Sequence, residues 1–352
     1  MNDNTIYNNS KALIRYEWID VLKFIGIFSI YLGHCGQGAG KLYPFVFIYH
    51  VPLFFFISGF FANKGKDKSI KEYILAKAKQ LLVPYVFFSI VSNISYALLG
   101  NYNGIDVKNM FIKSFWGIRN TLTAGSLWFV PCMFVVSILY FILNRTFTKK
   151  WIVLISTVLL FISTQTILVN NPMIVPSWFM NIDSAMYYII YYALGDILFD
   201  KIRNFKFTML SIFNKVLVVI ISLGMLIITT YLYFNGPESG FNLINDYFAF
   251  VSYIPLIKSI YNVLIAFIII YICILVAYLL KDVKLFANLG KNTLKLCCME
   301  NITKIYLDSV LSMIGLGFNI SNPLNCIFYT FSCLIVAQGI SIKVIKKYFP
   351  FI

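Results

Sequence analysis

The 352 residues contain only two histidines, His34 and His50. Imidazole is the side chain whose unperturbed charge change falls near neutral pH, so it is the natural proton carrier. Both histidines lie in strongly apolar surroundings, where a polar group is costly and is a candidate functional group. Ahead of His34 stand Asp20 and Lys23, separated from it by a run of apolar and small residues. If residues 20–34 form one helix, Lys23 and His34 are about three turns apart, on one face and roughly 16 Å from each other along the axis. Asp20, three residues before Lys23, lies on the same side. This stripe suits a ligand threaded lengthwise, with an anionic end at Lys23 and a reactive end at His34. Structural roles stand beside this reading: a local ion pair at a helix start for Asp20, a snorkelling side chain for Lys23, and an interfacial hydrogen bond for His34.

The second histidine sits in Tyr49-His50-Val51-Pro52-Leu53-Phe54-Phe55-Phe56-Ile57-Ser58-Gly59. A short connection separates the two histidine segments, so they are expected to face each other. Pro52 and Gly59 are expected to break or kink their helix and free backbone groups for a polar cavity.

The elements that must position these residues are membrane spans. Hydrophobic residues make up 60% of the chain and charged residues 12%, about half the charged share of a soluble domain. Apolar runs near the length of a bilayer crossing occur at 18–36, 42–62, 81–99, 126–143, 151–169, 184–199, 216–234, 259–280, 293–312 and 323–342. They are continuous and lack the alternation of an outer-membrane barrel. The fold expected is all-α, a polytopic integral membrane helix bundle of about ten transmembrane helices forming one domain over 1–352. Residues 1–17 and 343–352 are its cytosolic ends, and the polar start, Met1–Ser10, does not read as a signal peptide. Most of the 29 Lys and Arg fall in segments on the N-terminal side of that topology, which places both termini in the cytosol. The net charge of +15 then reflects topology and anionic lipid, and the scattering of basic residues argues against nucleic acid. The seven cysteines show no zinc spacing and no disulfide framework, and only Cys35 is expected near the outer surface.

Together, Asp20-x-x-Lys23, the apolar run to Gly33-His34, and His50-x-Pro52-Leu53-Phe54-Phe55-Phe56-Ile57-Ser58-Gly59 resemble the membrane acyltransferases called acyltransferase family 3. Further similarities are Lys77-x-Lys79 ahead of Pro84-Tyr85, Leu127-Trp128-Phe129, Leu194-Gly195 and Leu289-Gly290-Lys291-Asn292-Thr293-Leu294, so the resemblance runs over roughly residues 18–300. It implies a largely bacterial plasma-membrane enzyme that moves acyl groups, commonly acetyl, onto hydroxyls of cell-surface carbohydrates. It assigns the catalytic histidine to His34 and its helix-mate cation to Lys23, where the family commonly has arginine. It places Lys77 and Lys79 at the acyl-CoA, with Asp20, Ser58, Trp128 and Glu300 in support. Many members have histidine where this chain has Glu300, which is expected to pair with Lys304 or Lys295 within its own helix.

Acyl transfer to a hydroxyl needs a base and a stabilised oxyanion. His34 is the candidate base, with His50 assisting or supporting it. The segment Lys64–Lys79 would receive anionic acyl-CoA, or serve topology alone. Trp116, Tyr247 and Tyr253 could form a sugar platform, although interfacial aromatic belts look the same. The expected partners are acyl-CoA as donor, most simply acetyl-CoA, a carbohydrate acceptor, the bilayer, and separate polysaccharide synthesis or export proteins. No permanently bound cofactor or metal is expected. A transporter or flippase for a lipid-linked saccharide fits the spans and polar stripe equally well, but explains the two histidines less directly.

Overall fold

A chain this apolar must satisfy its backbone hydrogen bonds internally, and helices do so within each segment. The computed structural model describes residues 15–99, 104–204, 211, 213, 216–231, 254–317 and 320–349. Among them every regular element is helical. The helices are α1 (Glu17–Gly33), α2 (Leu42–Gly59), α3 (Ile70–Lys77), α4 (Val83–Leu99), α5 (Gly104–Trp116), α6 (Phe129–Thr146), α7 (Lys150–Thr166), α8 (Ile182–Asn204), α9 (Val216–Tyr231), α10 (Ile254–Leu279), α11 (Lys284–Lys291), α12 (Thr293–Met313), α13 (Pro323–Ile340) and the single turn α14 (Lys346–Tyr348).

Each of the ten predicted runs falls on one of these helices. Among the described residues five helical stretches are long and apolar enough to cross a membrane: Leu42–Gly59, Ile70–Leu99, Gly125–Thr146, Leu256–Leu279 and Pro323–Tyr348. Helices α7 and α9 are apolar but shorter. The others carry charge, such as Asp20 and Lys23 in α1, Asp183 and Asp196 in α8, and Glu300 and Lys304 in α12. Exposed apolar side chains follow a helical stripe, as Val86, Ile90, Ile94 and Leu98 do on α4, the surface a lipid-facing helix presents.

Two sequence expectations are corrected here. Pro52 does not break its helix, because α2 runs unbroken from Leu42 to Gly59. The basic segment Lys64–Lys79 is not all loop. Ser69 accepts from the Glu72 N–H at 3.3 Å, and Glu72 accepts from the Ser69 N–H at 2.8 Å, a capping box that starts α3 at Ile70. A π-turn at Ala78–Leu82 then carries the chain into α4.

Helix α1 is nearly central, packed against α2, α10, α11, α12 and α13. Small residues set the tightest crossings, as they do between membrane helices. Gly59 of α2 and Gly195 of α8 meet face to face: a Cβ on Gly59 would lie 2.1 Å from the Tyr192 carbonyl oxygen, and one on Gly195 2.0 Å from that of Phe56. At Gly290 a Cβ would lie 1.7 Å from the Asp20 carbonyl oxygen, so α11 lies directly on the backbone of α1. Leu194-Gly195 and Leu289-Gly290 are therefore packing motifs. Gly195→Leu is expected to prevent a monodisperse, detergent-stable protein, and Gly195→Ala to cost at least about 1–3 kcal/mol by overpacking. Thermal unfolding followed by size exclusion checks both.

Candidate active site

His34 lies immediately after the last helical residue of α1, at φ −81° and ψ 7°, the sparsely allowed bridge region where many active-site residues sit. Its Nδ1 is 3.0 Å from Oε2 of Glu300 on α12. Since a carboxylate only accepts, Nδ1 carries a proton, and in the neutral imidazole the free lone pair is then on Nε2, the form a general base needs. The other carboxylate oxygen, Oε1, is 2.8 Å from Nζ of Lys304, one turn further along α12. Lys304 also donates to the Tyr31 carbonyl at 2.9 Å, and the Tyr31 hydroxyl to the Leu296 carbonyl at 2.8 Å. Glu300 and Lys304 are buried, so the charge pair is held between α1 and α12. The expected Glu300–Lys304 pairing is present, the Lys295 alternative is not, and the bond to His34 is new.

His50 is buried, with Nδ1 2.6 Å from the Val46 carbonyl oxygen. That bond fixes its tautomer in the same sense. His34 and His50 both line a cavity of about 430 Å³ with Phe47, Arg119, Ser126, Trp128, Phe129 and Tyr188 among its other walls. The ring of Phe47 lies 6.1 Å from that of His34 and 4.9 Å from that of His50. The volume falls in the usual small-molecule range of about 300–1,000 Å³.

At the other end of α1 a second cavity of about 440 Å³ is lined by Lys23, Ser58, Lys64, Lys68, Tyr73 and Lys77, among others. Lys23 keeps a loose pairing with Asp20 at 3.7 Å, and Asp20 is held more closely by Arg15 Nε at 2.7 Å. That hydrogen bond raises the pKa of Arg15. Among the described residues Lys64, Lys68 and Lys77 form no ion pair. Four ammonium groups around one concavity make a site for an anion. Lys79 is exposed and does not line it: two residues on from Lys77, it points about 200° around the helix.

The two cavities use the same faces of four helices. Lys23 and His34 lie on α1, Ser58 and Val51 on α2, Met133 and Phe129 on α6, Tyr192 and Tyr188 on α8. Aromatic rings stand between Val51 and Ser58 on α2 and pack across to α6 and α8. Phe54 and Phe55 lie 5.7 and 5.2 Å from Phe129, and Phe55 stacks on Tyr188 at 4.7 Å. Phe54 is seated against Gly26 of α1.

The chain matches the family described as an acyltransferase domain, acyltransferase family 3, over residues 16–342. It belongs to that family. No curated protein and no solved structure matches it.

Within this acyltransferase, other sequence-selected residues fall outside the cavities. Trp116 is exposed and packs with Phe115 and Phe179, while Tyr247 and Tyr253 lie outside the described residues, as do most of the N-terminal segment and the last residues of the C-terminal tail. Cys35 is buried just beyond the end of α1, and all seven cysteines are free. Sequence reasoning missed Arg119 in the His34 cavity and Glu300 as the partner of His34. Arg119 belonged to a segment read only as a loop.

Proposed function

We propose that this acyltransferase moves an acyl group, most simply acetyl, from cytosolic acyl-CoA to a hydroxyl of a cell-surface or exported carbohydrate, across a bacterial plasma membrane that it spans about ten times with both termini in the cytosol. The observation that carries the proposal is the alignment of a four-lysine cavity and a histidine–glutamate cavity on the same faces of four helices. The phosphates of the donor are held by Lys23, Lys64, Lys68 and Lys77. Its extended pantetheine arm runs along α1 and delivers the thioester to His34. Nε2 of His34 takes the proton of the acceptor hydroxyl, whose oxygen attacks the thioester carbonyl. The tetrahedral intermediate collapses by breaking the C–S bond, and the imidazolium returns the proton to the departing thiolate. Glu300 fixes the tautomer and supports the imidazolium while it exists. A transporter would explain neither the family membership nor the His34–Glu300 bond.

The test is purified full-length protein in nanodiscs with radiolabelled acetyl-CoA, and with longer acyl-CoAs beside it. CoA release or label transfer to saccharide supports the proposal. A folded protein that neither binds nor turns over any acyl-CoA overturns it. Lys77→Ala is expected to raise the KM for acyl-CoA by about tenfold with a smaller change in kcat, the pattern of lost ground-state binding. Added salt is expected to weaken the wild type in the same direction.

A further inference from the structure

Among the described residues Arg119 is the one Lys or Arg in the wall of the His34 cavity, and no sequence motif marked it. One terminal nitrogen donates to the Pro172 carbonyl at 2.5 Å. The guanidinium carbon stands 5.0 Å over the ring of Trp128, a cation–π contact. Among the described residues its Nε is buried with no hydrogen-bond partner and the side chain forms no ion pair, although the guanidinium also lies beside the Tyr188 hydroxyl. A buried, unsatisfied donor on a charged group is costly and calls for a partner.

The loop is built to hold this side chain. The backbone N–H of Arg119 donates to Oδ1 of Asn181 at 2.7 Å, while Nδ2 of Asn181 donates to the Gly117 carbonyl at 2.5 Å and to that of Trp128 at 3.3 Å. Asn181 is fully buried. Asn120, Met180 and Asn181 all adopt left-handed backbone, at φ 67°, 51° and 56°. Such strain in non-glycine residues persists where surrounding structure over-determines it, and it clusters at ligand clamps.

We infer that Arg119 is an anion-recognising residue of the acceptor cavity, so that the second substrate is a saccharide carrying a carboxylate or phosphate. This rests on the acyltransferase reading. The donor's own phosphates are accounted for by the lysine cavity, roughly 16 Å away along α1, and an acetyl group is neutral. The anions that remain are a charge on the acceptor and the transient oxyanion of the transfer, and only the first is a ground-state ligand that a binding measurement reads. A planar guanidinium matches a carboxylate or phosphate through two parallel N–H bonds.

The test uses full-length protein in nanodiscs of neutral lipid. Saturation-transfer NMR measures D-glucuronate against D-glucose, with CoA release from acetyl-CoA and succinyl-CoA measured in parallel. Wild type is expected to bind glucuronate at least about tenfold more tightly than glucose, Arg119→Gln to narrow that difference below about threefold, and Arg119→Lys to keep part of it. Equal binding by wild type overturns the inference, as does a uronate preference that survives Arg119→Gln or that is displaced by free CoA. A preference for succinyl-CoA over acetyl-CoA, lost in Arg119→Gln without any uronate preference, moves the anion to the acyl group and overturns the acceptor assignment. CoA release without uronate preference sinks this inference alone; uronate preference without CoA release from any donor sinks the acyltransferase reading and leaves the anion site standing. Should Arg119→Gln fail to fold, wild type decides: raised salt must weaken glucuronate and not glucose.

Discussion

His34→Ala is expected to abolish transfer from acyl-CoA, with kcat falling by at least about 10²–10⁴, the range a positioned general base contributes. The structure makes His34 hard to replace. It is the histidine held by a carboxylate, with the tautomer that leaves Nε2 basic. His50 lines the same cavity but is tied to a neutral carbonyl, so its imidazolium is supported by a dipole and not by a charge. His50→Gln should therefore cost much less. Acyl-CoA turnover with saccharide acceptor, measured on both variants after equal recovery from size exclusion, separates them. Comparable losses in the two would mean that the histidines share the proton and that Glu300 is not the deciding partner.

The second large effect is on Glu300, where activity and stability are expected to part company. Glu300→Gln removes the charge that favours the imidazolium and can present an amide donor to Nδ1, the wrong partner for the productive tautomer. A loss of about 10²–10⁴ in kcat is expected by analogy with orienting carboxylates in hydrolytic triads. Glu300→Ala does more, because it leaves Lys304 buried opposite no charge. Breaking a buried pair from one side typically costs about 3–5 kcal/mol. Replacing both partners, as Glu300→Leu with Lys304→Met, removes the orphaned charge and should recover most of the thermal stability while leaving the enzyme inactive. Unfolding temperature and turnover on the three variants check this. An active double variant would show that the triad only ties α12 to α1.

The sequence made the helices legible because apolar runs in a membrane chain are nearly unbroken, and each predicted run indeed lies on a helix. It overestimated Pro52, since neighbouring helices tolerate a missing N–H that an isolated helix would not. His34, His50 and Lys23 could be singled out because a rare or charged residue in an apolar run is conspicuous. The partners were harder. Glu300 and Lys304 are four apart on one helix, so their bond was visible along the chain. The bond from Glu300 to His34 depends on α12 lying beside α1, information spread over more than 260 positions. Lys77 and Lys79 look equivalent in a string of letters, and only the turn of the helix separates the one in the cavity from the one outside. Arg119 had no signal, because a loop charge looks alike whether it faces water or a substrate. The glycines of two landmark motifs turn out to mark where backbones touch.

The layer of rings between the two cavities has an electrical consequence. A groove that let a donor arm run from one side of a bilayer to the other would, if open, also conduct protons and small ions and dissipate the gradient the cell lives on. Phe54, Phe55 and Phe129, with the ring of Tyr188 stacked on Phe55, are a poor medium for a hydrated ion, because a phenyl ring does not replace its water. Under the donor route proposed above, the slender pantetheine arm would push such rings aside and be gripped by them, leaving the passage sealed both when empty and when filled. On this view the phenylalanines act as an insulating gasket, and the enzyme carries a reactive group across the membrane without becoming a hole in it.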